Sequence, residues 1–175
     1  MKIFSIYHFI YLFVTILFLI GGCFLSSRLN RKGQNILFII IAIIGCGGIF
    51  FRYAMGLSFH KFDILTLLKQ LMQVCTFNFV IMPLMLVPKF EFARQYSVFF
   101  SMFAASTSLI SISSSFANLS PLHISILNSW VNHTMAVALP LFMIAGKRAK
   151  PQKKYILITL ILVFSYFTIF RVVRP

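Results

Sequence analysis

Long apolar runs alternate with short polar breaks along the whole chain. A helix that crosses the hydrocarbon core of a bilayer needs about 20 mainly apolar residues, because its backbone groups must be hydrogen-bonded internally. Six stretches qualify: 3–24, 36–57, 64–87, 96–118, 122–146 and 155–170. The breaks are only a few residues long. The pattern therefore predicts an all-α, polytopic transmembrane helix bundle of about six spans, forming a single transmembrane domain over 1–175.

The composition agrees with this pattern and excludes several kinds of chemistry. The 175 residues are 60% apolar and 10% charged, whereas a soluble domain is about a quarter charged. Only Asp63 and Glu91 are acidic. That count excludes a paired-carboxylate glycosidase site, a carboxylate-rich metal cage and an Asp/Glu proton relay within the bilayer. We expect no metal and no other cofactor.

The net charge of +14 is best explained by membrane topology. The basic residues form short clusters between the apolar runs and do not follow one face of a soluble domain, so we expect no nucleic-acid partner. The first, third and fifth loops hold ten of the 16 Lys and Arg residues. The positive-inside rule then predicts a multi-pass protein of the cell membrane, with these odd loops in the cytoplasm and both termini outside.

Polar side chains inside the spans are concentrated in two of them. The third span carries Lys69, Gln70, Gln73, Cys75, Thr76 and Asn78, and the fifth carries Ser125, Asn128, Ser129, Asn132 and His133. The first two spans hold almost nothing comparable, and the serines and alanines of the fourth indicate a helix-packing face. Because polar groups at bilayer depth usually face a bundle interior or a cavity, the third and fifth helices are predicted to line any site. Trp130, mid-way along the fifth span, is predicted to pack within the bundle.

A thiol and an imidazole occur at matching positions in these two spans. Cys75 lies 12 residues after Asp63, and His133 lies 12 after Pro121, so each is about 18 Å from the start of its span, near the middle of the bilayer. A Cys–His pair is the minimum for nucleophilic catalysis by a thiolate. Asn78, one turn after Cys75, or Asn128 or Asn132, would then orient the imidazole or donate to an oxyanion. The alternative is that Cys75 only packs and that His133 is hydrogen-bonded between helices.

Three segments carry a resemblance to a known family: 73–84, 94–105 and 130–140. On them, residues 68–151 resemble the YwaF-like bacterial integral membrane proteins, which are related to eukaryotic transmembrane protein 164. The resemblance implies a cysteine acyltransferase that moves acyl chains between phospholipids, with Cys75 and His133 as its essential pair. Gln73 departs from the pattern, because many relatives have His there. The relatives also continue into a further helix, so this chain is expected to be short of a seventh.

Two hypotheses of function follow. In the first, Cys75 and His133 catalyse acyl transfer on membrane phospholipids, supported by Asn78, Asn132, Gln73, Asn128 and Trp130. Ester bonds lie nearer the headgroups than the middle of the bilayer, so this hypothesis requires a water-filled cleft. In the second, the same polar groups line the pocket of a small-molecule-binding or transport subunit without catalysis. A non-catalytic structural protein is a third possibility. The sequence does not identify a protein partner.

Overall fold

The computed structural model describes residues 5–57, 74–111 and 119–173, without the side chains of 49–50, 52–57, 74–77, 79–80, 162–163 and 166–173. Over these ranges the chain is all-helical and contains no strand, which confirms the predicted class. The helices are α1 (Ile6–Arg28), α2 (Arg31–Leu57), α3 (Val74–Leu86), α4 (Glu91–Tyr96), a π-helical segment (Ser97–Ser101), α5 (Met102–Ile110), α6 (Ile124–Ala145) and α7 (Lys154–Val173).

Helix α6 lies at the centre of the fold. It packs against α1, α2 and α5, and also contacts α3 and the π-helical segment. Although α1 and α2 are consecutive, each packs mainly against α6 and not against the other. Ala138 and Leu139 in the second half of α6 are completely buried. The core therefore forms around this one helix, and α1 and α2 are joined mainly through it.

A close crossing joins α2 to α6. Asn128 Nδ2 donates a hydrogen bond of 3.0 Å to the carbonyl oxygen of Gly48. A Cβ at Gly48 would overlap Asn132 Oδ1 and would lie 2.7 Å from Asn128 Oδ1. One turn earlier, a Cβ at Gly45 would lie 3.3 Å from Met135 Cβ. Glycine at these positions lets the two helix backbones approach closely, as small residues do in membrane helix pairs.

One end of the bundle is tied by side chains that bind helix-end carbonyl groups. Gln34 Nε2 donates to the carbonyl oxygens of Ser26, at 2.9 Å, and Gly146, at 3.2 Å. Ser26 Oγ donates to the carbonyl oxygen of Phe142 at 2.7 Å. These groups occupy some of the carbonyls that the end of a helix leaves without an intrahelical partner. We call this set the Gln34 junction; it joins α1, α2 and α6.

Helix α4 binds the loop that follows α6. Gln95 is completely buried; its Nε2 donates to Glu91 Oε1 at 2.6 Å and to the carbonyl oxygen of Lys150 at 2.8 Å. Its Oε1 accepts from the Gln152 backbone N–H at 3.0 Å. Because α4 directly follows α3, these bonds place the C-terminal ends of α3 and α6 at the same end of the fold. The two helices therefore run in the same direction.

Helix α1 has the length and composition of a membrane span. It is 23 residues long, and only 11% of its most apolar window is buried within the fold. Apolar side chains such as Phe13, Ile20 and Phe24 are largely exposed, as expected of a helix that contacts lipid. Among the described residues it is the one helix that meets these criteria. The six predicted spans, and their orientation, are thus not confirmed and stay a prediction. The polar residues that α6 contributes to the predicted site lower the mean hydropathy of that helix.

We predict that Gly48→Ala destabilises the protein. The added methyl group would overlap Asn132 Oδ1, and overpacking of this kind costs about 1–3 kcal/mol. Gly47→Ala is the matched control, since a Cβ at Gly47 meets nothing within 4 Å. Thermal unfolding of the purified protein in detergent should show a lower Tm for Gly48→Ala and an unchanged or higher Tm for Gly47→Ala. Equal Tm values would contradict the close crossing.

Candidate functional site

The polar side chains of α6 point in different directions. Asn128 and Asn132 face α2 at Gly48. Asn132 is nine-tenths buried, and its Oδ1 has no hydrogen-bond partner in the part of the chain that the structure describes. A buried amide oxygen without a partner is costly. Asn128 and Asn132 therefore contribute to the contact between α2 and α6, and Asn132 Oδ1 is an acceptor that no described residue uses.

Trp130 lies on the opposite side of α6, about 160° around the helix from Asn132. Its Nε1 donates to Thr15 Oγ1 of α1 at 2.8 Å, and Thr15 Oγ1 lies 3.3 Å from Thr134 Oγ1. The indole also contacts the rings of Tyr11 and His8, with centroids 5.1 and 5.7 Å away. Trp130 thus packs against α1, within the bundle. Its role in supporting the site stays a prediction.

His133 is held by the turn that precedes it. Its Nδ1 lies 2.7 Å from the carbonyl oxygen of Ser129 and 3.5 Å from Ser129 Oγ. A carbonyl oxygen only accepts, so in the neutral ring Nδ1 carries the hydrogen and Nε2 carries the lone pair. The contact also turns the ring back toward the start of α6. His133 is partly exposed, which suits a group that must meet a substrate.

Asn78 is the buried amide of α3. It is 2% exposed, and its Oδ1 accepts hydrogen bonds from Ser101 Oγ at 2.9 Å and from Tyr96 Oη at 3.3 Å. Tyr96 is the last residue of α4, and Ser101 is the last residue of the π-helical segment. Asn78 and Asn132 therefore contact different elements, and the hydrogen bonds of the described residues do not link them.

Gln73 lies outside the described residues, as does the side chain of Cys75, so the thiol-to-imidazole distance is not defined. The backbone of Cys75 lies in α3, which contacts α6. Gly45 of α2 faces Met82 of α3 and Met135 of α6, so these two methionines lie at about the same level along the bundle. Counting back seven residues along two helices that run in the same direction places the backbone of Cys75 roughly level with Asn128, and so about 7.5 Å of helix rise from the backbone of His133.

This register differs from the equal depth that the spacing predicts, and it changes the setting of the thiol. Asn128 lies four residues after Ile124, where α6 begins, so Cys75 is about 6 Å of helix rise from that end. The His133 ring reaches back toward the same level through its bond to Ser129. The backbone of His133 lies nine residues, about 13.5 Å, from Ile124 and so near the middle of α6, whereas Cys75 is expected nearer to the end where α6 begins.

Sequence reasoning missed four polar partners. Thr15 and the completely buried His8 lie in α1, a span expected to hold almost nothing polar; His8 Nε2 lies 3.2 Å from the Leu109 carbonyl oxygen. His8 and Thr15 are seven residues apart and so share one helix face, and this spacing is a signal that could have identified them. Tyr96 and Ser101 are five residues apart, which places them on different faces of a regular α-helix, so their spacing carries no such signal.

The comparisons with known proteins give one family. The family model described as the TMEM164 family matches residues 3–173, which is nearly the whole chain. No curated protein and no solved structure matches this sequence. The match agrees with a membrane protein, as does the exposed apolar surface of α1.

We predict that Trp130→Phe lowers stability by about 1 kcal/mol, since the ring keeps most of its packing but loses the hydrogen bond to Thr15. The measurement is thermal unfolding in detergent, with Thr15→Val as the partner variant. The double variant should lose less stability than the sum of the two single losses, because both changes remove the same bond. Fully additive losses would show that the bond contributes nothing.

Proposed function

The chain belongs to the TMEM164 family, and from that premise we propose that it is a multi-pass membrane acyltransferase acting on phospholipids through Cys75. The finer placement that we propose is the YwaF-like bacterial branch, on the segments that contain Cys75 and His133. Membrane lipids are then both the acyl donor and the surroundings of the site. No metal or cofactor enters the proposed reaction.

The observation that carries the proposal is the contact between His133 Nδ1 and the Ser129 carbonyl oxygen, at 2.7 Å. It leaves Nε2 as the nitrogen that can take a proton, which is what a general base for a thiol requires. The helix that carries Cys75 packs against α6. No carboxylate is needed to set the tautomer, because a backbone carbonyl does so.

The reaction has two balanced halves. In the first, Cys75 Sγ attacks the carbonyl carbon of a phospholipid acyl ester. The thiol proton passes through His133 Nε2 to the oxygen of the departing lysophospholipid, and the acyl group becomes a thioester. In the second, a hydroxyl acceptor loses its proton to Nε2 and attacks the thioester carbonyl, and the thiolate recovers the proton. The oxyanion of each step needs a donor; Asn78 on α3 and Asn132 on α6 are buried amides of the two helices that carry Cys75 and His133.

The depth at which Cys75 lies along the bundle supports attack on a phospholipid ester bond. Near the start of α6, a thiol is closer to the depth of phospholipid ester bonds than it would be in the middle of the bilayer. This lessens the need for a deep water-filled cleft. Because α1 exposes an apolar surface along its length, acyl chains can lie against the fold without crossing a polar barrier.

We expect Cys75→Ala to lower acyl exchange by about 10³-fold or more, as loss of a nucleophile does in other covalent enzymes. The assay follows a labelled acyl chain from phospholipid to a lysophospholipid acceptor, with purified full-length protein in vesicles. Cys23→Ala is the matched control: it removes a partly buried thiol of α1 that packs against the core, and exchange should stay as in the unchanged protein. Undiminished exchange by Cys75→Ala would refute the proposal.

We expect His133→Gln to lower exchange by about 10²- to 10⁴-fold, the usual contribution of a general base. Glutamine keeps a donor near the Ser129 carbonyl but has no group that titrates near neutral pH. The loss should be partly recovered as the pH rises, because the thiol then ionises without a base. A loss that is constant with pH would indicate a structural role for His133.

The binding or transport alternative stays a prediction. It would be indicated by a small molecule that stays bound through purification, together with unchanged lipid composition after incubation in vesicles.

A further inference from the structure

The π-helical segment Ser97–Ser101 interrupts the helix between α4 and α5. The Met102 backbone N–H donates to the carbonyl oxygen of Ser97, five residues earlier. This pattern gives more residues per turn than an α-helix. Such turns are rare, and they frequently occur at functional sites because they reposition side chains.

The turn brings Tyr96 and Ser101 onto one face. In a regular α-helix two residues five positions apart point about 140° away from each other. With hydrogen bonds that span five residues, the angle between the two positions is much smaller, so they share one face. Both hydroxyl groups then reach the same atom, Asn78 Oδ1, at 3.3 and 2.9 Å. All three side chains are at least nine-tenths buried, with exposures of 5%, 3% and 2%.

Two donors on one carbonyl oxygen fix the orientation of the amide. An amide oxygen has two lone pairs, and Tyr96 and Ser101 use both. The Nδ2 group must then point away from them. Because side chains of a helix lean toward its N-terminus, the Asn78 amide leans toward the preceding turn of α3, which contains Cys75. Stabilising an oxyanion requires a buried N–H donor with a set direction, and Asn78 supplies one a single turn from the backbone position of the proposed nucleophile.

We propose that Tyr96 and Ser101 are positioning residues that hold the Asn78 amide so that its Nδ2–H donates to the carbonyl oxygen of the acyl group at Cys75. The proposal rests on the proposed acyl transfer and adds the groups that make its oxyanion site rigid. The hydroxyls do not touch the substrate, and they act through Asn78. The π-helical turn is the backbone device that lets two residues five positions apart serve one amide.

The first test compares two serines of the same turn. Ser101→Ala removes one donor to Asn78, so we expect kcat for acyl exchange to fall about tenfold with KM nearly unchanged, because the oxyanion exists only in the reaction. Ser97→Ala is the matched control. Ser97 is equally buried, and its Oγ has no hydrogen-bond partner within the described ranges. We expect its kcat to match that of the unchanged protein.

The second test separates positioning from folding. Asn78→Ala should lower kcat by about 100-fold, the usual loss for one oxyanion donor. In that background, Ser101→Ala and Tyr96→Phe should change kcat less than twofold, since the group they orient is gone. Helical circular dichroism and Tm are measured for each variant. A hydroxyl that merely stabilised the fold would give the same loss of kcat in both backgrounds.

The outcomes distinguish this proposal from the proposed function. If Cys75→Ala abolishes exchange but Ser101→Ala and Tyr96→Phe behave like Ser97→Ala, the positioning role is refuted and the acyltransferase stands. Additive effects with Asn78→Ala also refute it. If exchange does not depend on Cys75, both proposals are refuted.

Discussion

The crossing of α2 over α6 at Gly48 is the contact on which the rest of the fold depends. Lipid chains are as apolar as the helix surfaces, so helices in a bilayer associate through close packing and interhelical hydrogen bonds. Gly48 supplies both, because it has no side chain and its carbonyl oxygen accepts from Asn128. The same close approach buries Asn132 and places α6 between α1 and α2. Helix α3, which carries Cys75 and Asn78, packs on α2 and also contacts α6.

The positions and contacts of the few polar groups limit the reactions that the protein could catalyse. Glu91 is bound at one end of the fold by Arg94, at 2.9 Å, and by Gln95. The described part of the interior holds amides, hydroxyls and imidazoles, and several of them are oriented by a backbone carbonyl or another side chain. His133 is oriented by its own helix and Asn78 by a neighbouring one. A site of this kind needs no buried charge in its resting state, which avoids the cost of placing an ion in a low-dielectric interior.

Sequence patterns identified the helices better than the contacts between them. The apolar runs located α1 and α6 within a few residues. Helix α2 begins five residues before the predicted span, at Arg31, because the Asn30 side chain accepts from the Gly33 backbone N–H at 2.9 Å and caps its first turn. His133 and Asn78 stood out as polar groups in apolar surroundings. Their partners did not, since the Ser129 carbonyl has no sequence signal and the π-helical turn that aligns Tyr96 with Ser101 depends on tertiary packing.

The Gln34 junction has a consequence for how the molecule can move. One buried amide nitrogen binds the ends of α1 and α6 from a third helix, so these three ends cannot separate without exposing unsatisfied carbonyl groups. At the opposite end α1 is held by two contacts, from His8 to the Leu109 carbonyl and from Tyr11 to the Pro121 carbonyl. The two ends of α1 are thus held differently, by one buried amide that joins three helices and by two separate hydrogen bonds. A separation of α1 at the end where α6 begins would break only those two bonds and leave the Gln34 junction intact.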